Sequence, residues 1–216
     1  MSAEPGDPRR GWVAGDVAAE FPDLRLLQLA VDAVPGRSPR EIRQLLKDMS
    51  DRFRGAQAVA MRRQPVPWSY RVFFRQIGLD PDTTRTPIEA AAVDRLLKGG
   101  WRSQNLVDDA LTIALIETGV PIWALDADRV EGALGIRTAT AGEPLGRNDE
   151  APPLPAGRLV VADDRSPLAV LFGDLAPGHG VTPATRHMVL FCVQVAGVPS
   201  IHAEEALYSC AATLLQ

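Results

Sequence analysis

Apolar positions recur along this chain with two different periods, and the change from one to the other divides it. Residues 24–34, just after Phe21-Pro22-Asp23, form a Val-, Leu- and Ala-rich run ended by Pro35-Gly36. An apolar run of that length between breakers predicts a buried strand. Ser38 as N-cap, Pro39 at the first helical position and Glu41 closing a capping box predict a helix start. Ile42, Leu45, Leu46, Met49 and Phe53 then recur at helical spacing, with Gly55 as a candidate stop. Residues 68–77 (WSYRVFFRQI), followed by Gly78, predict another helix. Thr86-Pro87-Ile88-Glu89 is a second capping box, opening a helix to Lys98 before Gly99-Gly100. A further helix is predicted over about 104–118, with Leu106, Ala110, Ile113, Ala114 and Glu117 at helical spacing and Gly119 then Pro121 as its stop.

Beyond Pro121 the texture changes. Residues 122–125, 134–140, 158–162, 168–172 and 187–195 read as strands separated by turns rich in Gly, Pro and Asp. Residues 141–157 read as loop, and Ser200 as the cap of a last helix to about Leu215. Residues 1–11 are polar and rich in Gly and Pro, which predicts a disordered arm before a single domain over 12–216. A helix-rich front and a strand-rich back give an α+β fold.

Composition narrows the picture. The chain has 216 residues, 46% of them hydrophobic, enough to bury a sizeable core. No apolar run approaches the ~20 residues of a membrane span, and the N-terminus lacks a signal-peptide pattern, so a cytoplasmic protein away from membranes is expected. Cys192 and Cys210 lie in apolar surroundings and read as buried reduced thiols. The net charge of −4 argues against a bulk polyanion binder. It conceals ten Arg or Lys against three acids between Arg37 and Gln76, a local +7 that either forms a phosphate footprint or decorates solvated helix faces. Three histidines and two cysteines lack metal-ligand spacing, so no metal is expected. There is no GxxxxGK[ST], GxGxxG or GxSxG element, and no cofactor is expected.

Residues 100–132 read GWRSQNLVDDALTIALIETGVPIWALDADRVEG. Arg102, Val107, Asp109, Glu117, Gly119, Pro121, Ala124, Asp126, Asp128, Arg129, Glu131 and Gly132 resemble, in register and without a gap, the signature of the B3/B4 domain. That domain is the tRNA-editing module of the phenylalanyl-tRNA synthetase β subunit. Arg137 with Gly142-Glu143, residues 159–163 (LVVAD), and Gly180-Val181-Thr182 with Thr185 resemble the family's next elements in order. Motifs cover about 68–212. The resemblance implies a mixed β-sheet with flanking helices and a pocket that hydrolyses the ester joining a wrong amino acid to the terminal adenosine of tRNA. It also implies tRNA, through its aminoacylated acceptor end, as the partner, with no DNA; the oligomeric state is left open. The expected activity is that of a freestanding trans-editing aminoacyl-tRNA deacylase, a carboxylic ester hydrolase. The alternative is a noncatalytic module holding tRNA or an amino-acid-like ligand. Three positions depart from the family: its histidine is Trp123, its helix asparagine is Thr112, and its glutamate near the glycine turn has no counterpart. Trp123 would fill space and favour a smaller or aliphatic amino acid.

Candidate site residues follow from this register. His179, between Gly178 and Gly180, is a candidate acid–base group near neutral pH on a turn that lets a ligand approach the backbone; the alternative is an exposed loop histidine. Thr112 is a candidate for positioning water. Arg102 either binds phosphate or ribose oxygens or pairs with Asp108 or Asp109. Asn105 is a ligand contact or a helix cap, and Asp109 fixes an ammonium group or holds the helix start. Trp123 is read as a pocket wall. Asp126 is a substrate contact or a turn holder, and Thr182 a pocket hydroxyl or a cap. Arg71 and Arg75, interleaved with aromatics, and Arg186 are candidate RNA contacts, with packing or local pairing as the alternative.

Overall fold

The computed structural model describes residues 6–147, 151 and 153–216. In chain order the elements are β1 (Arg9–Arg10), β2 (Trp12–Val13), α1 (Gly15–Glu20), β3 (Arg25–Asp32), α2 (Arg40–Arg52), α3 (Gly55–Met61), α4 (Pro65–Gln76), α5 (Pro87–Lys98) and α6 (Leu106–Thr118). They continue with β4 (Ile122–Asp126), a 3-10 turn, β5 (Gly135–Thr138), β6 (Leu159–Ala162), β7 (Pro167–Val170), β8 (His187–Gln194) and α7 (Ser200–Leu214). The arrangement is α+β, with helices flanking two sheets. One sheet runs β1-β3-β8-β4 and is antiparallel throughout; the other runs β2-β5-β6-β7, with β2 parallel to β5.

The first sheet carries the core. β3 and β8 pair over their full lengths, from Arg25 opposite Gln194 to Asp32 opposite His187. Every residue from Met188 to Val193 is buried, so β8 reads as a continuous apolar run and not as an alternation: both of its faces are covered. α7 packs on β8 and β3, and α6 packs on α7 and β4. Cys192 and Cys210 are buried free thiols whose burial pushes both pKa values up to about 12, which keeps them protonated. Among the described residues no helix is long and apolar enough to cross a membrane.

Several expectations are corrected. The polar arm predicted over 1–11 gives way at Arg9–Arg10, which pair with Gln28 and Leu27; residues 1–5 lie outside those described. A ladder needs only backbone groups, so a polar dipeptide satisfies the open edge of β3 as well as an apolar one would. At Gly11 the chain crosses between sheets, its N–H donating to Leu26 while a Cβ there would lie 2.3 Å from the Leu134 carbonyl oxygen. Gly55 does not simply end a helix; it begins α3. Ser38 and Ser200 do not cap: Pro39 and Pro199 hold those positions, and the Ser200 hydroxyl meets the Gln194 side chain instead.

Arg71 departs furthest from the expectation of an exposed contact, because it is buried. Its guanidinium donates to Glu89 at 2.6 Å and to Asp82 at 2.7 Å. Glu89, only 2% exposed, also takes Arg62 and closes the capping box on Thr86. Burial works against the Arg71 charge, but these carboxylates outweigh it and hold its pKa above the ordinary value. Aromatic neighbours made the segment look like a stacking surface, yet Tyr70, Phe73 and Phe74 are core.

The carboxylate of Asp109 sets the site's outline. It is buried and accepts from the Ser38 hydroxyl at 2.6 Å, the Ser103 hydroxyl at 2.5 Å and the Gln104 N–H at 3.0 Å. With Leu106 N–H donating to Gly36 at 2.8 Å, it ties the loop after β3 to the start of α6.

Replacing Arg71 with Met is expected to lower the unfolding free energy by about 3 kcal/mol, because it leaves the Glu89 charge buried with less compensation. Urea midpoints measure it, and a loss below about 1 kcal/mol would be typical of an exposed pair. A second expectation concerns acid. Burial would raise the Asp163 pKa, but the N–H groups of Glu131, Ser166 and Arg165 and the Arg147 charge hold it below the ordinary value, as Arg137 does for Glu143. The unfolded chain therefore takes up these protons at higher pH than the folded one. Stability is fully present above about pH 5 and lost as pH falls through the depressed folded values. Urea midpoints followed downward from pH 6 should fall through this window, and less steeply in Asp163→Asn.

Candidate functional site

α6 begins at Asn105 because its side chain accepts the Asp108 N–H at 3.0 Å. The Asn105 amide in turn donates to the Asp108 carboxylate at 2.7 Å, so cap and acid are held together. The helix ends at Gly119, whose left-handed φ of 75° lets the chain reverse into β4. β4 is the outer strand of its sheet. Against its free edge lies the segment leading into β8, joined by an isolated bridge between Leu125 and Gly180 and by Asp126 N–H donating to the His179 carbonyl at 2.9 Å. Since Asp126 directs its N–H away from β8, the alternation of an antiparallel strand directs the Ala124 N–H to the same open edge.

Between these parts is a hollow of about 600 Å³. The loop 35–37 and the start of α6 (Gln104, Asn105, Val107, Asp108, Leu111) form one wall, Trp123 and Ala124 the base, and Leu175 with 180–183 the other wall. Its volume is that of a small-molecule site. A second hollow of about 360 Å³ is bordered by Thr112, Leu115 and 172–174. Leu111 and Trp123 border both.

Of the residues singled out from sequence, Asn105, Trp123, Gly180 and Thr182 come together here. Asn105 also caps α6, and the Thr182 hydroxyl lies 3.3 Å from that of Thr185 and accepts from Ala184 N–H. The remainder lie elsewhere. His179 is 6% exposed, so it is not a loop histidine in solvent, and its side chain does not border the hollow. Its Nδ1 is 3.2 Å from the Pro177 carbonyl oxygen, and its ring lies beside Gly146. Gly178 is exposed and outside the lining, and its positive φ of 79° serves the turn. Thr112 faces the second hollow. The Asp109 carboxylate is occupied by the Ser38 and Ser103 hydroxyls and the Gln104 N–H, and it does not line the hollow. Asp126 is buried, accepting from the Thr185 hydroxyl at 2.8 Å and from Asp128 N–H, and so is a turn holder.

The cations separate likewise. Arg102 is exposed but borders neither hollow, and among the described residues it makes no ion pair with Asp108 or Asp109. Arg75 lies over the Trp68 ring at 5.8 Å, and both are exposed. Arg186 folds onto its own turn, donating to Pro183 and Thr185 carbonyls. Sequence reasoning missed Arg37, Asp108 and Leu175 as lining residues. Arg37 follows the Pro35-Gly36 breaker, which was read only as the end of a strand; a cation in a connection between two buried elements was the available signal.

Comparison with known proteins adds the family. Residues 69–206 match the model of the B3/4 domain. Over 103 residues, 47% of this chain, it is 40% identical to the phenylalanine–tRNA ligase beta subunit of Streptomyces avermitilis. It is 38% identical to that of Yersinia pestis over 100 residues (45% of the chain) and 41% identical to that of Gloeobacter violaceus over 122 residues (51% of the chain). The match covers 12% of each of the first two relatives and 15% of the third. With the antiparallel first sheet, the α6–β4 turn and the 180–185 segment carrying the matched motifs, the chain belongs to the B3/4 domain family.

Proposed function

We propose that this chain has a tRNA-related function, in which the hollow beside Trp123 receives the aminoacylated end of a tRNA and hydrolyses its ester. The observation that carries the reading is the convergence of α6, the free edge of β4 and the 180–183 segment on one space, with a cation, a carboxylate and an edge N–H around an indole base. A volume of about 600 Å³ accommodates an aminoacyl-nucleoside end. Resemblance to a ligase that charges tRNA supplies the substrate class; a cytoplasmic setting is part of the same proposal.

The chemistry asks little of the protein. Arg37 attracts a terminal phosphate. Asp108, held by Asn105, meets the ammonium group of the amino acid, and the Ala124 N–H donates to the ester carbonyl, where negative charge develops. Water adds to the carbonyl carbon, the bond to the ribose oxygen breaks, and that oxygen takes a proton passed along by the neighbouring ribose hydroxyl. His179 and Thr112 have no part in this scheme, because the His179 ring is buried beside Gly146 and Thr112 borders the second hollow. That same fact favours a second reading, a noncatalytic module that binds charged tRNA without turnover.

A panel of aminoacyl-tRNAs separates the two. At least one member should be deacylated faster than its spontaneous rate, and Asp108→Asn should slow that reaction by tenfold or more, about 1.4 kcal/mol. His179→Ala should leave the rate within about twofold if the protein stays folded. Gel-shift affinity should fall steeply with added salt and further with Arg37→Ala. Binding without turnover on any member selects the second reading; neither binding nor turnover defeats both.

A further inference from the structure

Phe172 stands out in the backbone. Among the described residues it is the one non-glycine residue with positive φ, at 59°. That conformation is strained for a bulky side chain, so the surroundings must impose it. They do so with three aromatic rings: Tyr70 at 5.7 Å, Phe73 at 5.8 Å and Phe74 at 5.3 Å between centroids. What Phe172 then presents, edge-on at 5.9 Å and 63°, is a ring against Trp123. Phe191, its cross-strand partner on β8, stacks on the same indole at 5.6 Å and 13°. The indole is held by these two contacts and borders both the 600 Å³ hollow and the 360 Å³ one.

Resting on the reading above, we infer that Trp123 is the end wall that limits the amino-acid side chain. The site takes esters of amino acids with short side chains, and the second hollow is space that the indole withholds from longer ones. Trp123 is half-buried, borders both cavities and is packed on only part of its surface, so truncation leaves room continuous with both. Leu111 and Leu115 give that inner space apolar walls, suited to an aromatic or long aliphatic side chain once the indole is gone.

The test compares the protein with Trp123→Ala and Trp123→Leu, the second retaining enough apolar volume to fold if the first does not. Rates are measured on tRNAs charged with alanine or serine and with phenylalanine or tyrosine, and thermal melting is followed with and without indole. The ratio of aromatic to small-side-chain turnover should rise at least about tenfold in Trp123→Ala, the discrimination a pocket wall supplies, and less in Trp123→Leu. Indole should raise the melting temperature of Trp123→Ala and not that of the parent. A parent that hydrolyses aromatic esters as fast as alanyl ones overturns the inference while the deacylase reading stands. So do variants that hydrolyse esters with an unchanged ratio. No turnover by any form overturns the deacylase reading, and the indole arm alone then decides the wall: stabilisation upholds it as a size limit on bound ligand, and its absence removes it.

Discussion

The site depends on one buried carboxylate. Asp109 is taken out of water at the first turn of α6, where the helix dipole favours a negative charge, and its oxygens are filled by two serine hydroxyls and a backbone N–H. A charge so placed must keep its partners or become costly. The loop bearing Ser38 is therefore locked to the helix, and with it Gly36 and Arg37 are held at the rim of the hollow. Asn105, one turn before, and Asp108, the adjacent residue, inherit their positions from the same anchoring. The other side of the hollow depends on a comparable device: Asp126 and Thr185 bond across the base of the 180–183 segment and hold it against β4.

Seen from these anchors, most of the signature residues that carry the family resemblance build the frame. Arg137 and Glu143 form a paired-fork ion pair around a tight turn. Asp163 gathers the N–H groups of Glu131, Arg165 and Ser166 and the Arg147 guanidinium. Glu131 completes that network with Arg147 and Arg165, and Glu117 reaches across to Ser209 on α7. Gly132 adopts a left-handed φ of 78° and lies against Asp164 so closely that a Cβ would fall 1.9 Å from a carboxylate oxygen. Asp163, the buried centre of this network, satisfies three backbone N–H groups and a guanidinium at once. The positions that touch the hollow, Arg37, Asp108, Trp123 and Thr182, carry fewer such obligations.

Elements with a local cause were legible in the sequence. The Thr86–Glu89 capping box, the Gly119 stop and the apolar run of β8 each act through neighbours a few residues away, and each stands where the pattern put it. Elements with a distant cause were not. Ser38 has the chemistry of a cap, but the carboxylate 71 residues away competes for its hydroxyl and wins. Arg71 among aromatics has the look of an RNA contact, and only the approach of α5 shows that Glu89 claims it. His179 between glycines has the look of an exposed reactive group, whereas the turn folds it against Gly146.

The order of apolar periods, caps and turns was enough to specify an α+β chain, because helix and strand periodicity and turn chemistry are short-range; the resemblance to the family came from the ordered motif residues. Which polar side chains end up facing open space was settled only when the sheets and helices packed. A hydrogen-bonding group goes to whichever partner burial leaves within about 3 Å, and that partner is chosen by the tertiary arrangement and not by its neighbours along the chain.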